Sequence, residues 1–390
     1  MTQRVLFVDD EVGVLQGLQR MLFEMDEWDM VFVNSAEKAL DAMREGCFDV
    51  IVSDMCMPGM DGAMLLSRVY AEHPNVVRII LTGHSELEAT FRAMPVAHSF
   101  LTKPCRPGMV QELIGRSCAL ACLLDRADLR TLAGGVVALP VQADIHARLL
   151  DAVADPRVDV SHVARLVRAD VGLSSKVLHL TNSAFFGSPC NFVSVDRALA
   201  YIGPAMFRRL VASRQVFGLG ADAGLRDDLS LEAEQRHAVA CANIAYRIAP
   251  LPELRADAFL AGLFHDVGKL IWASRGQSLG ASTAAACTPA PSPECRARLG
   301  AYLLGLWGLQ RHVVDAVAYH HDPATACGAA LELATVVHVA DGLARALEAE
   351  RSGRGGELTI DVEHLGRMGA LGKLDEWRQM SRAPWDRESA

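Results

Sequence analysis

The chain lacks the features that would take it into or across a membrane. Its longest apolar segment, Leu299 to Leu309, contains glycines and is shorter than the roughly 18 residues of a membrane-spanning helix. The first apolar run, Val5 to Val8, ends at two aspartates, so a signal peptide is not expected. The 10 cysteines include no Cys-x-x-Cys pair, which suits a reducing cytosol. We therefore expect a cytoplasmic protein.

An excess of basic residues is also lacking. Lys and Arg number 38 against 47 Asp and Glu, and the formal net charge is -9. Nonspecific nucleic-acid binding relies on Lys and Arg, because these side chains displace the counterions of the phosphates. The charge and the lack of a recognisable helix-turn-helix or winged-helix segment argue against DNA as a partner. What the chain does have is 390 residues, 51% of them hydrophobic, enough for two or three domains with substantial cores.

Four short apolar runs near the N-terminus each end at polar residues. They end at Asp9 and Asp10, at Asp54, at Thr82 and at Lys103. Short runs rich in Val, Ile, Leu and Phe are typical of strands that are buried on both faces of a parallel sheet. In such sheets, ligands bind where the strands finish at their carboxyl ends. We therefore predict that three carboxylates, one hydroxyl and one amine meet at one edge of a sheet.

The spacing of apolar residues divides the chain into regions. Residues 1–120 alternate strand-like runs with amphipathic segments, which predicts an α/β doubly wound, flavodoxin-like domain of five βα units. A linker helix is expected over residues 121–135, where two glycines end it. Residues 136–345 have helical periodicity almost throughout and are expected to form an all-α domain. Residues 346–390 are expected to form a C-terminal tail with short helices.

The acidic edge predicts a particular chemistry. Close carboxylates repel one another by a few kcal/mol per pair at an effective dielectric constant of about 20, and a divalent cation removes that cost. Oxygen ligands suit Mg2+, which often binds phosphate together with one or two carboxylates. A carboxylate beside Mg2+ can attack phosphorus and form an aspartyl phosphate. The amine of Lys103 would neutralise oxyanion charge, and the hydroxyl of Thr82 could donate to a phosphoryl oxygen.

With these residues in view, residues 1–120 resemble the response-regulator receiver domain of two-component signalling. The resemblance rests on four ordered blocks: Asp9-Asp10, Ser53 to Gly62, Leu81 to Gly83 and Leu101 to Pro104. It implies that a sensor histidine kinase or a small phosphodonor phosphorylates one aspartate to 4-aspartylphosphate. The implied phosphorylation site is Asp54, and the implied Mg2+ ligands are Asp9, Asp10, Asp54 and the backbone carbonyl of Cys56. The implied phosphate-contact and switch residues are Thr82, Phe100 and Lys103.

The helical half carries histidines and carboxylates that could share a metal ion. They include the Phe264-His265-Asp266 run, His237 upstream, and His320-His321 and Asp341 downstream. Imidazoles and carboxylates on facing helices can bind a metal, and a metal could activate water for phosphate-ester hydrolysis. Taken singly, each histidine is more often a hydrogen-bonded helix residue than a ligand. Lys269 could contact a phosphate, but it is more often a solvated helix-end residue.

Ordered blocks from Leu139-Pro140 to the helix that ends at Gly203 make this half resemble the HDOD domain. HDOD domains are helical relatives of the HD and HD-GYP phosphohydrolases, and the resemblance implies a regulatory or interaction module without established catalysis. His237, His265, Asp266 and Asp341 match the four positions of the minimal HD metal set, and the implied metals are Fe, Mn or Zn. Against catalysis, no GYP loop follows His320-His321, and Arg296 takes the place of the usual histidine.

The sequence thus predicts a response regulator in which phosphorylation of Asp54 controls a non-catalytic HDOD output domain. The alternative is a phosphorylation-gated, metal-dependent phosphodiesterase that acts on a cyclic dinucleotide or another nucleotide through the HD-like site. The expected partners are a cognate histidine kinase, an unknown downstream protein and a second copy bound through the receiver. The surface formed by Glu86 to Ala93 and Phe100 to Met109 is the expected dimer or interdomain face. The direction of the phosphorylation effect is left open.

Overall fold

The amino-terminal half folds around a five-stranded parallel sheet. The computed structural model describes residues 2–83, 87–155, 157–183, 186, 191–213, 217, 229–274, 291–353 and 359–383. The strands are β1 (Gln3–Val8), β2 (Trp28–Val33), β3 (Val50–Asp54), β4 (Val77–Thr82) and β5 (Ser99–Thr102), in the order β2-β1-β3-β4-β5. All pairings are parallel, so the carboxyl ends of the strands lie at one edge. The predicted doubly wound fold is confirmed.

Five helices connect these strands and cover the sheet. They are α1 (Val12–Met21), α2 (Ala36–Glu45), α3 (Gly62–Glu72), α4 (Leu87–Ala93) and α5 (Pro107–Leu120). Two of them begin where the sequence supplies a capping oxygen: Ser35 accepts from the backbone N–H of Lys38, and Asp61 from that of Met64. Every residue of β3 and β4 is buried, as expected of central strands with helices on both faces. Glu86, the expected start of α4, lies outside the described residues.

The described part of the second half is all helical, as predicted. Its helices before residue 214 are α6 (Ala127–Gly134), α7 (Ala143–Ala154), α8 (Val160–Arg168), α9 (Val171–Asn182), α10 (Val195–Ile202) and α11 (Pro204–Ala212). After residue 228 follow α12 (Leu231–Ile248), α13 (Arg255–Phe264), α14 (Val267–Ala273), α15 (Pro293–Leu306), α16 (Arg311–Tyr319), α17 (Ala329–Arg351), α18 (Val362–Arg367) and α19 (Leu374–Arg382). Wherever the chain is described, no helix combines the length and hydropathy needed to cross a bilayer.

The expected linker helix over residues 121–135 is not continuous. A short 3-10 turn, Ala121–Leu123, extends α5, and α6 begins only at Ala127. The break brings the side chains of Leu123 and Leu124 into the core. No glycine or proline marks this break, so the local sequence gives no signal for it. The tertiary packing of the two leucines determines the position of the break.

The two halves pack directly against each other. The end of α5 lies on α15, and a Cβ at Gly305 would come within 2.4 Å of the Leu120 side chain. On the sheet side, Ser99 at the start of β5 donates to the carbonyl of Leu306 over 3.4 Å. From α4, the ring of Phe91 lies 5.7 Å below the guanidinium of Arg209. The receiver-like half therefore buries its α4, β5 and α5 side against the helical half.

Candidate functional site

One lysine joins two carboxylates at the carboxyl edge of the sheet. Lys103 Nζ lies 2.7 Å from Asp9 Oδ2 and 2.5 Å from Asp54 Oδ1. Asp9 follows β1 and Asp54 ends β3, so adjacent parallel strands bring the two side chains together. The side chain of Asp9 is fully buried and that of Asp54 is 8% exposed, whereas that of Lys103 is 28% exposed. The predicted meeting of Asp9, Asp54 and Lys103 is therefore present.

Burial dominates the electrostatics of Asp54. Loss of solvent raises its pKa above the usual value, and the attraction of Lys103 offsets only part of that rise. The pKa of Lys103 is raised, because its bonds to the two carboxylates outweigh the opposing effect of its own burial. One oxygen of Asp54 accepts from the backbone N–H of Cys56 at 2.9 Å. The site thus contains two buried carboxylates, one ammonium that they share and one backbone donor to Asp54.

The residues predicted to bind Mg2+ are less tightly grouped than the Lys103 bridge. Asp9, Asp10 and Asp54 are all described, yet one oxygen from each does not fall within 4.8 Å of the others. Asp10 is partly exposed, and Asp9 accepts from the backbone N–H of Glu11 at 2.9 Å. Mg2+ retains waters and needs only one or two protein carboxylates, so this donor set fits the ion. When bound, Mg2+ would supply a Lewis acid for a phosphoryl oxygen.

The predicted switch residues lie between this edge and the helical half. Thr82 ends β4, and its hydroxyl lies 3.2 Å from that of Thr90 on α4 and 3.3 Å from the carbonyl of Gly83. Phe100 on β5 is 1% exposed, so its ring belongs to the core. Its neighbour Ser99 is the residue that bonds to Leu306. The strand that carries the buried ring therefore also carries a bond to the second half.

Two buried basic side chains of α9 complete the contact between the halves, and sequence reasoning missed both. Lys176 is 1% exposed and donates to the carbonyls of Met94 and Val137, at 3.4 and 3.2 Å. His179 Nε2 donates to the carbonyl of His98 at 3.0 Å, and its ring stacks on Trp307. Burial lowers the pKa of Lys176 to about 7. Because neither Met94 nor Trp307 is near in sequence, no local pattern could have indicated these contacts.

A second polar cluster lies wholly in the helical half. His237 of α12 contacts Asp341 of α17 at 2.9 Å and Glu348 at 3.2 Å. His265, just after α13, lies 3.2 Å from Asp266 and 3.5 Å from Asp341. The four predicted positions His237, His265, Asp266 and Asp341 are therefore brought together. Three sets of donor atoms within 4.8 Å of one another could hold a metal: His237, His265 and Asp341; His265, Asp266 and His320; His320, His321 and Asp341.

Two imidazoles of this cluster turn their Nε2 atoms toward it. His265 Nδ1 donates to the carbonyl of Gly262 at 2.7 Å, and His320 Nδ1 to that of Val317 at 2.8 Å. Both residues are fully buried. His265 Nε2 lies 3.2 Å from Asp266 and 3.5 Å from Asp341, and His320 Nε2 has no hydrogen-bond partner among the described residues. Metal-binding histidines characteristically donate their other N–H to a carbonyl in this way. The cluster therefore fits Fe, Mn or Zn, with His320 as a ligand candidate beyond the four positions of the minimal HD set.

The charges of the cluster are already balanced by the chain itself. Lys269 bonds to Asp266, and Arg345 Nε lies 2.7 Å from Asp341. Burial alone would raise the pKa of Asp341, but His237, His265 and Arg345 lower it well below its usual range. Burial lowers the pKa of His320 to about 3. The carboxylates are thus ionised, and His320 is neutral.

One interpretation from the sequence needs correction here. Lys269 is not a solvated helix-end residue: its side chain is 20% exposed and also lies 3.7 Å from Glu234. Arg296, which takes the place of the usual histidine, donates to the carbonyl of Pro291 at 3.2 Å. The arginine that bonds to the cluster is Arg345, one turn after Asp341. That spacing of four residues on a helix is the signal that could have identified it.

Comparison with known families finds two family models, which match successive parts of the chain. The model of the response regulator receiver domain matches residues 5–115, and the model of the HDOD domain matches residues 139–323.

Curated relatives match over a limited length. The response regulator protein FleR of Pseudomonas aeruginosa is 30% identical over 117 residues, which is 30% of this chain and 24% of that protein. The DNA-binding transcriptional regulator NtrC of Escherichia coli is 39% identical over 101 residues, 26% of this chain and 21% of that protein. The chain therefore spans about a quarter or less of the length of these relatives.

Solved structures match over a similar share of the chain. A response regulator receiver domain protein from Clostridium thermocellum is 30% identical and covers 31% of this chain and 98% of its own, with a TM-score of 0.30. The signal receiver domain of an HD domain-containing protein from Pseudomonas fluorescens is 27% identical and covers 30% of this chain and 85% of its own, with a TM-score of 0.29.

Proposed function

Because the chain combines a response regulator receiver domain with an HDOD domain, and a receiver implies a cognate histidine kinase, we propose that phosphorylation of Asp54 controls the HDOD domain. The observation that carries the proposal is the direct contact between the two domains on the α4–β5 side of the receiver. There, the carbonyls of Met94 and His98 accept bonds from Lys176 and His179. A change in α4 or β5 must alter these bonds.

A short physical route joins the acceptor to this contact. Phosphorylation replaces one carboxylate charge with up to two phosphoryl charges, close to the only ammonium that bonds to Asp54 among the described residues. Thr82 is the hydroxyl donor on the neighbouring strand, and its movement toward the phosphoryl group would break the bond to Thr90 of α4. α4 is followed directly by Met94, whose carbonyl holds Lys176. The switch therefore needs only one helix to shift.

The phosphorylated form opens the contact in this proposal. With Asp54 unmodified, Lys176 is held in a dry site by carbonyls from two segments and by the ring of Trp307, and no carboxylate of the described residues pairs with it. Burial of an unpaired ammonium is costly, so the closed state is poised for release by a small displacement. Release would expose α9 and the end of α15 for a downstream protein. The HDOD domain acts here as a binding surface, not as an enzyme.

Beryllofluoride, a phosphoryl analogue, tests this proposal directly. The full chain is compared with and without beryllofluoride in the presence of Mg2+, and backbone hydrogen exchange is followed by mass spectrometry. We expect exchange in α9 (Val171–Asn182) and at Met94 to rise at least about tenfold, because both segments lose their shared bonds. Unchanged exchange at both segments would contradict phosphorylation control through this contact.

Two variants serve as controls for that experiment. Asp54→Ala should show no response to beryllofluoride, whereas Asp41→Asn, which alters an exposed carboxylate of α2 that pairs with Arg44 of the same helix, should respond as the parent protein does. Affinity capture with the beryllofluoride form and with Asp54→Ala then identifies the downstream protein. A partner held equally by both forms would be independent of the switch.

A metal-dependent phosphodiesterase is the second candidate function. The observation that favours it is the group of donor atoms from His265, Asp266 and His320, which lie within 4.8 Å of one another; among the described residues, His320 Nε2 has no hydrogen-bond partner. A bound Fe, Mn or Zn ion would supply an activated water for phosphate-ester hydrolysis. The charge balance argues the other way, because Lys269 and Arg345 already bond to the two carboxylates.

Metal content separates the two functions. The purified full chain is analysed for Fe, Mn and Zn, and hydrolysis of bis(p-nitrophenyl) phosphate is measured on the same sample. A stoichiometric metal that is lost in His265→Ala, but kept in His312→Ala, would support the enzyme, because His312 pairs with Asp257 outside the cluster. Metal-free protein without hydrolysis would support the binding surface.

A cytoplasmic location accords with the free cysteines among the described residues.

A further inference from the structure

A separate cavity opens between four helices of the HDOD domain. Its volume is about 490 Å3, within the range of small-molecule sites. Helices α7, α8, α12 and α13 supply its walls. The lining residues are Arg148, His162, Arg165, Leu166, Arg168, Ala169, Val239, Asn243 and Phe259.

The polar wall of this cavity is strongly cationic. Arg148 and Arg165 are exposed and form no ion pair with any residue that the structure describes, and Arg165 contacts only the ring of His162, at 3.3 Å. Arg168 is paired with Asp196 at 3.2 Å. No carboxylate belongs to the described lining. Two uncompensated guanidinium groups stand out in a chain of net charge -9, and their planar forks suit phosphate oxygens.

The rest of the lining is mostly apolar and includes one aromatic ring. Phe259 of α13 is half-buried, and Val239 and Leu166 add apolar surface. Asn243 adds an amide that can both donate and accept a hydrogen bond. An aromatic ring, an amide and guanidinium groups in one cavity are complementary to a base joined to phosphate.

This cavity is distinct from the histidine cluster, although both use α12. His237 and Cys241 are buried on one face of that helix, toward the cluster. Val239 follows His237 by two residues, and Asn243 follows Cys241 by two residues. Each therefore points about 200° away from its predecessor around the helix axis. The cavity and the cluster therefore lie on opposite faces of α12. A ligand in the cavity would contact none of the candidate metal ligands.

We propose that this cavity binds a nucleotide. Arg148 and Arg165 bind its phosphates. Phe259 packs against its base, and Asn243 forms hydrogen bonds with the edge of the base. The site lies apart from Asp54 and from the histidine cluster, so the proposal holds whether or not either of them works as described above. Binding needs no metal and includes no covalent step.

Fluorescence anisotropy of N-methylanthraniloyl-ATP and N-methylanthraniloyl-GTP, with the full chain, tests the proposal. We expect saturable binding of at least one probe that the unlabelled nucleotide displaces. Arg165→Glu should weaken binding at least about tenfold, since it replaces an attractive charge with a repulsive one. Phe259→Leu should weaken binding of the nucleotide but leave displacement by pyrophosphate unchanged. Arg351→Glu, an equal change of charge at the exposed end of α17, is the matched control and should bind within about twofold of the parent.

Four results would overturn the proposal. They are saturable binding of neither probe, equal displacement by pyrophosphate and by the nucleotide, an Arg165→Glu variant that binds like the parent, and an Arg351→Glu variant that loses as much affinity as Arg165→Glu. Equal displacement would mean that only an anion is bound, and the last result would mean that net charge, not the cavity, sets the affinity. Circular dichroism melting of each variant establishes that it is folded.

Discussion

The sheet edge and the histidine cluster both gather carboxylates away from solvent, but they balance the charge differently. At the sheet edge, one ammonium, that of Lys103, serves both Asp9 and Asp54. In the cluster, Asp266 bonds to Lys269 and Asp341 bonds to Arg345, so each carboxylate has its own cation. The first arrangement responds to added charge, because a phosphoryl group on Asp54 would compete with Asp9 for the single ammonium of Lys103. The second is already neutralised, and a metal ion would have to compete with two cations.

The largest expected effect concerns the acceptor itself. Asp54→Asn should abolish incorporation of a phosphoryl group from acetyl phosphate and Mg2+, because an amide oxygen is not a nucleophile toward phosphorus. Intact-protein mass spectrometry measures the incorporation. Asp41→Asn, at an exposed position of α2, should incorporate as much as the parent. If Asp54→Asn were still phosphorylated to the same extent, the phosphorylation site would lie elsewhere and the comparison would fail.

The next effect tests whether the cluster is closed to metals by its own cations. Arg345→Ala frees Asp341 from an ion pair, so we expect the affinity for Mn2+ to rise about tenfold, equivalent to about 1.4 kcal/mol. Isothermal titration calorimetry with the full chain measures the affinity. Arg351→Ala, which removes an arginine of the same helix that does not contact the cluster, is the control. An unchanged affinity would show that Arg345 does not compete with a metal.

The third prediction concerns the contact that joins the two regions. The pKa of buried Lys176 is about 7, whereas the usual value is 10.5. Between these values the folded state binds fewer protons than the unfolded state, so stability rises with pH. From pH 7 to pH 8.5, Lys176 should add roughly 2 kcal/mol to the free energy of unfolding. Urea denaturation of the parent and of Lys176→Met at both pH values measures this as the difference in their pH dependence. Parallel curves for the two proteins would contradict it.

The smallest expected effect lies at the hydroxyl pair of the sheet edge. Thr90→Val removes the bond between Thr90 and Thr82 but keeps the buried shape, so the free energy of unfolding should fall by about 1 kcal/mol. Urea denaturation measures it. Asp315→Asn, which breaks a partly exposed ion pair with Arg311, should cost less than about 0.5 kcal/mol. A Thr90 variant as stable as its parent would show that the hydroxyl pair does not hold α4 in place.

Local signals predicted the sheet edge well. β5 ends at Thr102, directly before Lys103, as the apolar run in the sequence predicts, because a short buried strand carries its pattern in its own residues. Local sequence also accounts for the start of α2, where the side chain of Ser35 accepts a bond from the backbone N–H of Lys38. The order of parallel strands then brings Asp9, Asp54 and Lys103 together without further information.

Distant contacts account for what the sequence could not predict. The role of His320 beside His265 depends on how α13 and α16 pack, which no periodicity in either helix specifies. The burial of Lys176 runs against the usual exposure of lysine and depends on carbonyls supplied by two remote segments. The break between α5 and α6 likewise depends on the burial of the Leu124 side chain in the core.

Arg78 indicates where the two domains would turn relative to each other. Its buried guanidinium binds the carbonyls of Pro74, Val76 and Val96 within the receiver, and also that of Gly134 at the end of α6. A few residues later, the carbonyl of Val137 is bound by Lys176 of the HDOD domain. Residue 134 is thus fixed to the receiver and residue 137 to the HDOD domain. A movement of the domains that kept both bonds would have to turn the backbone at residues 135 and 136.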